Sequence, residues 1–532
     1  MRVDLGHALV KCWLKSFNVS TQNCQKGYGV ERTSSAAEDL LMYRDLRYWL
    51  SCFERCGELK RVEGVSCDLE MSGIAEILAR EGNGPMPAFL FDDIPGYPKG
   101  YRTLFGLLAS PSRMAMCLGV SLEPGSRLSL VKSWRAKMTS LSPLPPKVTA
   151  AGPVKSHVLT GAEIDLSRFP APRFHELDGG RYIGTCDGVI MQDPDSGWVN
   201  VGTYRVMVVD RERLALHMVE PQHGRILWDK KYTKRGRAMP VAIAIGMEPA
   251  LWFASSIRLP WGVSEYDYAG GIQGEPIEVM AGPWSGLPIP AHAEIVIEGE
   301  CLPGELTDEG PFGESLGYYA NLGLSPVPEP VVRVKAILFR DDPILTCAHP
   351  SKPPHDYGLI GNTFQAVRIW DILEKSGVPA IGGVWCHEIA GGALFTVISI
   401  QQVYAGQSKQ AGLIASQLPN TGRYTVVVDD DIDPSSLNDV IWAMATRSDP
   451  ERSIEILRHC RTTSADPAVS PEEKRKTKVA PKPLYSSRAV IDACRPYDWK
   501  NEFYPVAQVS NKLRLHLLDK WGKLFKEFLP SA

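Results

Sequence analysis

The chain has 532 residues, 44% of them hydrophobic and 22% charged, with a formal net charge of −3. That length favours two to four domains, and the composition is that of a folded globular protein. The charge argues against a nucleic-acid binder, which carries a basic excess on at least one domain, and no apolar run approaches the length needed to cross a bilayer.

Residues 1–41 read as a polar, disordered extension without a signal-peptide pattern, and Met42 is an alternative start. Twelve cysteines scattered from Cys12 to Cys494 without a CxxC pair point to a reducing compartment, with the cytoplasm as the expected location. Between Ala37 and Gly57 the residues Leu40, Leu46, Trp49, Leu50 and Phe53 recur at helical spacing, and Gly57 stops the pattern. Helix and strand signals alternate as far as Ser142-Pro143-Leu144-Pro145-Pro146. Consecutive prolines continue neither element, which bounds an N-terminal α/β domain at 42–140.

The middle third is rich in short strands. Thr185 to Met191 and Val199 to Val209 read as two strands joined across the turn Asp193–Gly197. Leu214 to Val219, Val241 to Ile245 and Ala293 to Ile297 follow, the pattern of a barrel or sandwich over 141–340. From about Pro343 α and β alternate. Phe364, Val367, Trp370 and Leu373 form a helical face, Leu394 to Ile400 and Tyr424 to Val428 read as strands, and Asp433-Pro434 starts a further helix. This alternation defines a C-terminal α/β domain over 341–532. The run Glu472 to Lys478 reads as a solvated linker. Asn511 to Phe528 reads as a basic amphipathic helix, an oligomer arm in preference to a membrane-surface helix.

No GxxxxGK[ST] loop or HExxH is present, and the glycines of Ala269–Gly274 lack the strand-to-helix setting of a dinucleotide site. Three polar segments remain: Asn200-Val201-Gly202-Thr203-Tyr204-Arg205 with Gln222-His223 after it, Ser264-Glu265-Tyr266, and Glu309-Gly310-Pro311-Phe312-Gly313-Glu314. Asn200, His223 and Glu265 form a mixed nitrogen and oxygen set that suits manganese or magnesium better than thiolate-bound zinc. From the residues alone, a satisfied buried histidine and two surface polar groups is the preferred reading. Glu309 and Glu314 flank a Gly-Pro-Phe-Gly loop that can bring both carboxylates to one rim. Close carboxylates do not both ionise easily, so one becomes a proton donor near neutrality while Arg205 holds the other ionised. Ordinary solvated turn glutamates are the alternative. His387, in Trp385-Cys386-His387-Glu388, reads as structural rather than substrate-binding, and Leu316 is a candidate for shaping a pocket.

Taken in order and spacing, these segments, with Val427-Val428-Asp429-Asp430-Asp431-Ile432-Asp433-Pro434, resemble the UbiD family of decarboxylases from about Tyr43 to Asp492. The resemblance implies a multidomain α+β chain, with a central split β-barrel of the flavin-reductase kind flanked by N- and C-terminal α/β domains. It implies prenylated FMN, bridged through its phosphate to a manganese or magnesium ion on Asn200, His223 and Glu265, with potassium nearby. Asn200, Val201, Gly202, Thr203, Tyr204, Arg205, Gln222, His223, Glu265 and Arg423 then line the cofactor, Arg423 standing where the family usually has lysine. Lys409 is a second basic candidate. Arg205, Glu309 and Glu314 match the catalytic trio, with Glu314 as proton donor. The implied reaction is reversible, non-oxidative decarboxylation of an aromatic, heteroaromatic or α,β-unsaturated acid by a homodimer or homohexamer supplied by a flavin prenyltransferase. Rival readings are a non-catalytic assembly subunit of the same fold and a flavin-free metal hydrolase using His223 and Glu265.

Overall fold

Five consecutive residues of one strand, Val241 to Ile245 in Met239–Ile245, are fully buried, so both faces of their sheet are covered. Alternation sorts them. Val241, Ile243 and Ile245 join one core with Val189, Met191, Val206 and Leu214, whereas Ala242 and Ala244 join another with Leu251, Trp252 and Ala269 of two helices. The small residues face the helices and the branched ones fill the curl of the sheet. Each fully buried valine or isoleucine contributes about 1.5–3 kcal/mol.

The computed structural model describes residues 43–528 apart from 83, 393, 419–421 and 480–481. The expectations for the extension at 1–41 and for a start at Met42 lie outside the described residues. The fold is a mixed α+β assembly of several sheets, as expected. Its centre is a ten-stranded sheet curled into a half-barrel. Eight strands form its main path, in the order Tyr182–Gly184, Arg205–Val208, Arg213–His217, Val327–Phe339, Ile295–Cys301, Met239–Ile245, Asp187–Gln192 and Val199–Gly202, and Leu306–Glu309 and His157–Thr160 pair with the long strand Val327–Phe339.

On the N-terminal side lies a four-stranded sheet of Leu59–Glu63, Ala88–Asp92, Arg102–Phe105 and, from much later in the chain, Ile344–Cys347. The last of these pairs in parallel with Arg102–Phe105 and stitches the N-terminal segment to the centre. Beyond it, Ile381–Cys386, Phe395–Ile400, Tyr424–Asp429, Leu484–Ala493 and Ile454–Thr462 make a five-stranded sheet in that order. The helix Gly358–Lys375 buries Ile360, Val367, Ile369, Trp370 and Leu373.

Four expectations change. Residues 199–209 form two strands rather than one: Val199–Gly202 pairs with Asp187–Gln192, while Arg205–Val208 pairs with Arg213–His217. Thr203 breaks the run, its backbone N–H donating to Ser255 O at 3.0 Å and its hydroxyl to Asp187 O at 2.9 Å. The helix expected at Asp433-Pro434 starts later, at Leu437, because Ser436 takes the cap and accepts from Asp439 N. The supposed linker is the helix Pro471–Val479, and its Lys474 is buried with Nζ donating to Ala320 O. Charge density hid that inward lysine. Finally, the terminal amphipathic stretch is two helices, Asn511–Lys520 and Gly522–Phe528, with Leu513, Leu515, Trp521 and Leu524 all exposed.

Candidate active site

Two polar clusters occupy the curled sheet. The first forms because Asn200, in an edge strand opposite Met191, carries a buried side chain. His223 opens a short helix at the Gln222 cap, and its Nδ1 lies 3.2 Å from Asn200 Oδ1. Glu265 opens the helix Glu265–Gln273, capped by Ser264, and its Oε2 accepts from Val201 N at 2.9 Å. Trp198 and Trp261 stand edge-on to the His223 ring at 5.3 and 5.2 Å. Tyr204 links the halves of the cluster, its hydroxyl accepting from Gly224 N at 2.9 Å. The structure therefore sets His223 against Asn200 and Glu265 against the backbone of the next residue, Val201.

Two observations test whether these residues suit a cation and a phosphate. Glu265 is 3% exposed, and burial raises its carboxyl from 4.5 to about 8, the donated backbone N–H only partly offsetting that. Asn200 Nδ2 is buried without a hydrogen-bond partner. A hard divalent cation would supply positive charge beside Glu265, and an anionic oxygen would give Asn200 Nδ2 an acceptor. The donor set fits. The glycines of the neighbouring helix serve packing: a Cβ on Gly270 or Gly271 would lie 2.6 Å from the carbonyl of Leu144 or Ser142.

The second cluster is an ionic fork. Arg205 Nε and Nη2 donate to the two oxygens of Glu309 at 2.7 and 2.8 Å, and Nη1 donates to Glu314 at 2.9 Å. The guanidinium lies over the Phe312 ring, 4.3 Å from its centre. Glu309 is fully buried and also accepts from the Tyr182 hydroxyl at 3.2 Å. Burial alone would raise its carboxyl, but the charge and hydrogen bonds of Arg205 overcome that and hold it below its ordinary value. The Glu314 side chain keeps 21% of its surface exposed, and both glutamates line a small cavity with Phe312, Asn321 and Leu322.

Sequence reasoning did not single out Tyr182, His217 or Glu329. His217 is the cross-strand partner of Arg205, and its Nδ1 lies 3.0 Å from Glu329 and 3.6 Å from Glu309. The hairpin turn at Asp210–Arg213 was the signal that gives this pairing. Gln222 bonds locally to Val219 N at 2.7 Å. The Arg423 guanidinium is bound to buried Asp466, and Lys409 to Glu455. His387, 2% exposed, bonds to Pro434 O at 3.0 Å.

The curled sheet thus carries an amide–imidazole–carboxylate cluster and an Arg–Glu–Glu fork, and the chain belongs to the UbiD family of carboxy-lyases. Models of the 3-octaprenyl-4-hydroxybenzoate carboxy-lyase match it in three parts: the N-terminal domain at 50–128, the Rift-related domain at 147–353 and the C-terminal domain at 358–493. It is 35% identical over 424 residues to a pyrrole-2-carboxylic acid decarboxylase of Pseudomonas aeruginosa, covering 76% of this chain and 83% of that one. A phenolic acid decarboxylase of Bacillus subtilis is 31% identical, covering 81% and 90%. The UbiD-class enzyme HmfF of Pelotomaculum thermopropionicum, solved with FMN, superposes with a TM-score of 0.77 at 28% identity, covering 90% and 98%; an evolved dimeric form of it was solved with prenylated FMN.

Proposed function

We propose that this protein decarboxylates an aromatic, heteroaromatic or α,β-unsaturated carboxylic acid, reversibly and without net oxidation, with Glu314 as the proton donor. The carrying observation is the asymmetry of the Arg205 fork. Glu309 receives two guanidinium N–H groups and has no exposed surface, so it serves as the fixed anion. Glu314 receives one and borders the cavity, so it is the carboxyl able to exchange a proton with substrate and solvent. Arg205 orients both carboxyl groups.

Asn200, His223 and Glu265 are the residues that would hold a manganese or magnesium ion and, through it, the phosphate of prenylated FMN, with potassium alongside. Val201, Gly202, Thr203, Tyr204 and Gln222 would border that position, and Arg423 is a further candidate contact for the cofactor. When bound, the prenylated flavin supplies the electron sink for the carbon that loses carbon dioxide. The chain's own part is to anchor the cofactor, place the acid against it and return one proton to the carbon that carried the carboxylate. A flavin prenyltransferase would supply the cofactor, and a homodimer or homohexamer would be the working form.

Glu314→Gln, produced with a flavin prenyltransferase, tests the role of the donor. It should retain cofactor and lose turnover; turnover equal to that of the unaltered enzyme would refute the assignment.

A further inference from the structure

Behind the loop that carries Glu309 and Glu314, with His175 packed against Gly313, three separate parts of the chain bring two imidazoles and a carboxylate to one point. Glu76 belongs to the helix Glu70–Glu81, His175 to the loop before Tyr182–Gly184, and His349 to the segment after the strand Ile344–Cys347. One ligand atom from each lies within 4.8 Å of the other two. His175 Nε2 is 3.2 Å from His349 Nε2 and 3.9 Å from Glu76 Oε2. A tetrahedral ion with bonds of about 2.0–2.1 Å spaces its ligand atoms roughly 3.3 Å apart. The three atoms already stand close to the corners of such a shell.

We infer that Glu76, His175 and His349 form a second metal site, for a divalent transition ion of the zinc class. Imidazole with one carboxylate suits such an ion, unlike the oxygen-rich Asn200 cluster. Two further features point to a ligand. His175 Nδ1 is buried without a hydrogen-bond partner and lies 3.5 Å from Asp178 Oδ2. A metal-bound histidine characteristically turns its other N–H to a carboxylate, and Asp178 is the carboxylate beside that nitrogen. The His349 ring, in a residue 2% exposed, is stacked on Phe174 with centroids 5.4 Å apart and 11° between planes. Its nitrogen is thus held towards His175 and does not turn to solvent. The His175 and Glu76 side chains are 22% and 27% exposed, leaving the fourth position open to water on that side.

The site has a mechanical consequence. Asp178 accepts from Gly313 N at 3.1 Å and from the Tyr319 hydroxyl at 3.0 Å. An ion on His175 therefore ties the Glu70–Glu81 helix, through His175 and Asp178, to the loop between Glu309 and Glu314.

Zinc alone is the probe. Cofactor-free Glu265→Gln protein, with the first cluster weakened, is stripped with chelator and titrated with Zn²⁺ while bound metal per chain and melting temperature are read. One zinc per chain and a rise of several degrees are expected. Adding His349→Asn should abolish that zinc and the rise, and adding Glu76→Gln, on a partly exposed helix face, should weaken binding at least tenfold. If His349→Asn does not fold, Glu76→Gln decides alone. Zinc binding unchanged by Glu76→Gln would overturn the inference, as would no zinc uptake by the Glu265→Gln parent, either result leaving an ordinary hydrogen-bonded imidazole pair.

Discussion

Asn200 and Arg205, five positions apart in sequence, lie in strands near opposite ends of one curled sheet. Only Thr203 and Tyr204 join those strands, and a chain spans at most about 3.3–3.6 Å per residue. The ends of the sheet are therefore drawn together, and the strands that carry Asn200 and Arg205 meet at a single seam. Gly202 permits this closure: a Cβ there would lie 2.5 Å from the Tyr204 ring. Gly202→Ala should cost about 1–3 kcal/mol by overpacking and displace Tyr204 from Gly224 beside His223. Flavin content after purification and the denaturation midpoint together check it, both being expected to fall.

Glu314→Gln should lower turnover by about 10²–10⁴-fold, the usual contribution of a positioned acid. Its flavin spectrum should match that of the unaltered protein. Arg205 loses one ionic partner in this variant and keeps the two bonds to Glu309, so the melting temperature should move little.

Glu309→Gln should behave differently, because it removes the buried anion. Leaving Arg205 without it costs about 3–5 kcal/mol, read in chemical denaturation at pH 7. The pH dependence follows from a carboxyl held below its ordinary value of 4.5 in the fold. The unfolded chain binds the proton more readily, so the stabilisation is present above that value and is lost as pH falls through the lower folded one. The stability gap between the two proteins should be widest near neutrality and narrow below pH 4.5. A gap that stays constant down to the acid limit would contradict an ionised Glu309.

Much of the site was legible because its residues come in short local motifs. Glu309 to Glu314 and Gln222-His223 each sit on one turn, and their order along the chain carries the family pattern. The break at Thr203 was not legible: residues 199–209 read as one apolar run, and the hydrogen bonds that interrupt it come from Asp187 and Ser255. Lys474 and the Ser436 cap were missed for related reasons. A lysine in a charged run gives no local sign that its amine meets Ala320 O, and Asp433-Pro434 imitates a helix start three residues too early. The Glu76, His175 and His349 grouping joins three distant segments, beyond the reach of any spacing rule.

Glu265→Gln should lower metal and flavin together in protein purified from cells that also make a flavin prenyltransferase. Elemental analysis and the visible spectrum read the two quantities on one sample. Loss of flavin with manganese or magnesium retained, or the reverse, would separate what the Asn200 cluster is assigned to hold jointly.

The most direct test of the whole account is release of carbon dioxide from a panel of pyrrole, furan, phenolic and cinnamic acids by the unaltered enzyme, with and without co-produced flavin prenyltransferase. The account predicts release from at least one acid, dependent on the prenylated cofactor, with one solvent deuteron entering the product in D2O at the carbon that bore the carboxylate. Carbon dioxide release of equal rate from protein lacking that cofactor, or none from any acid by fully loaded protein, would contradict it.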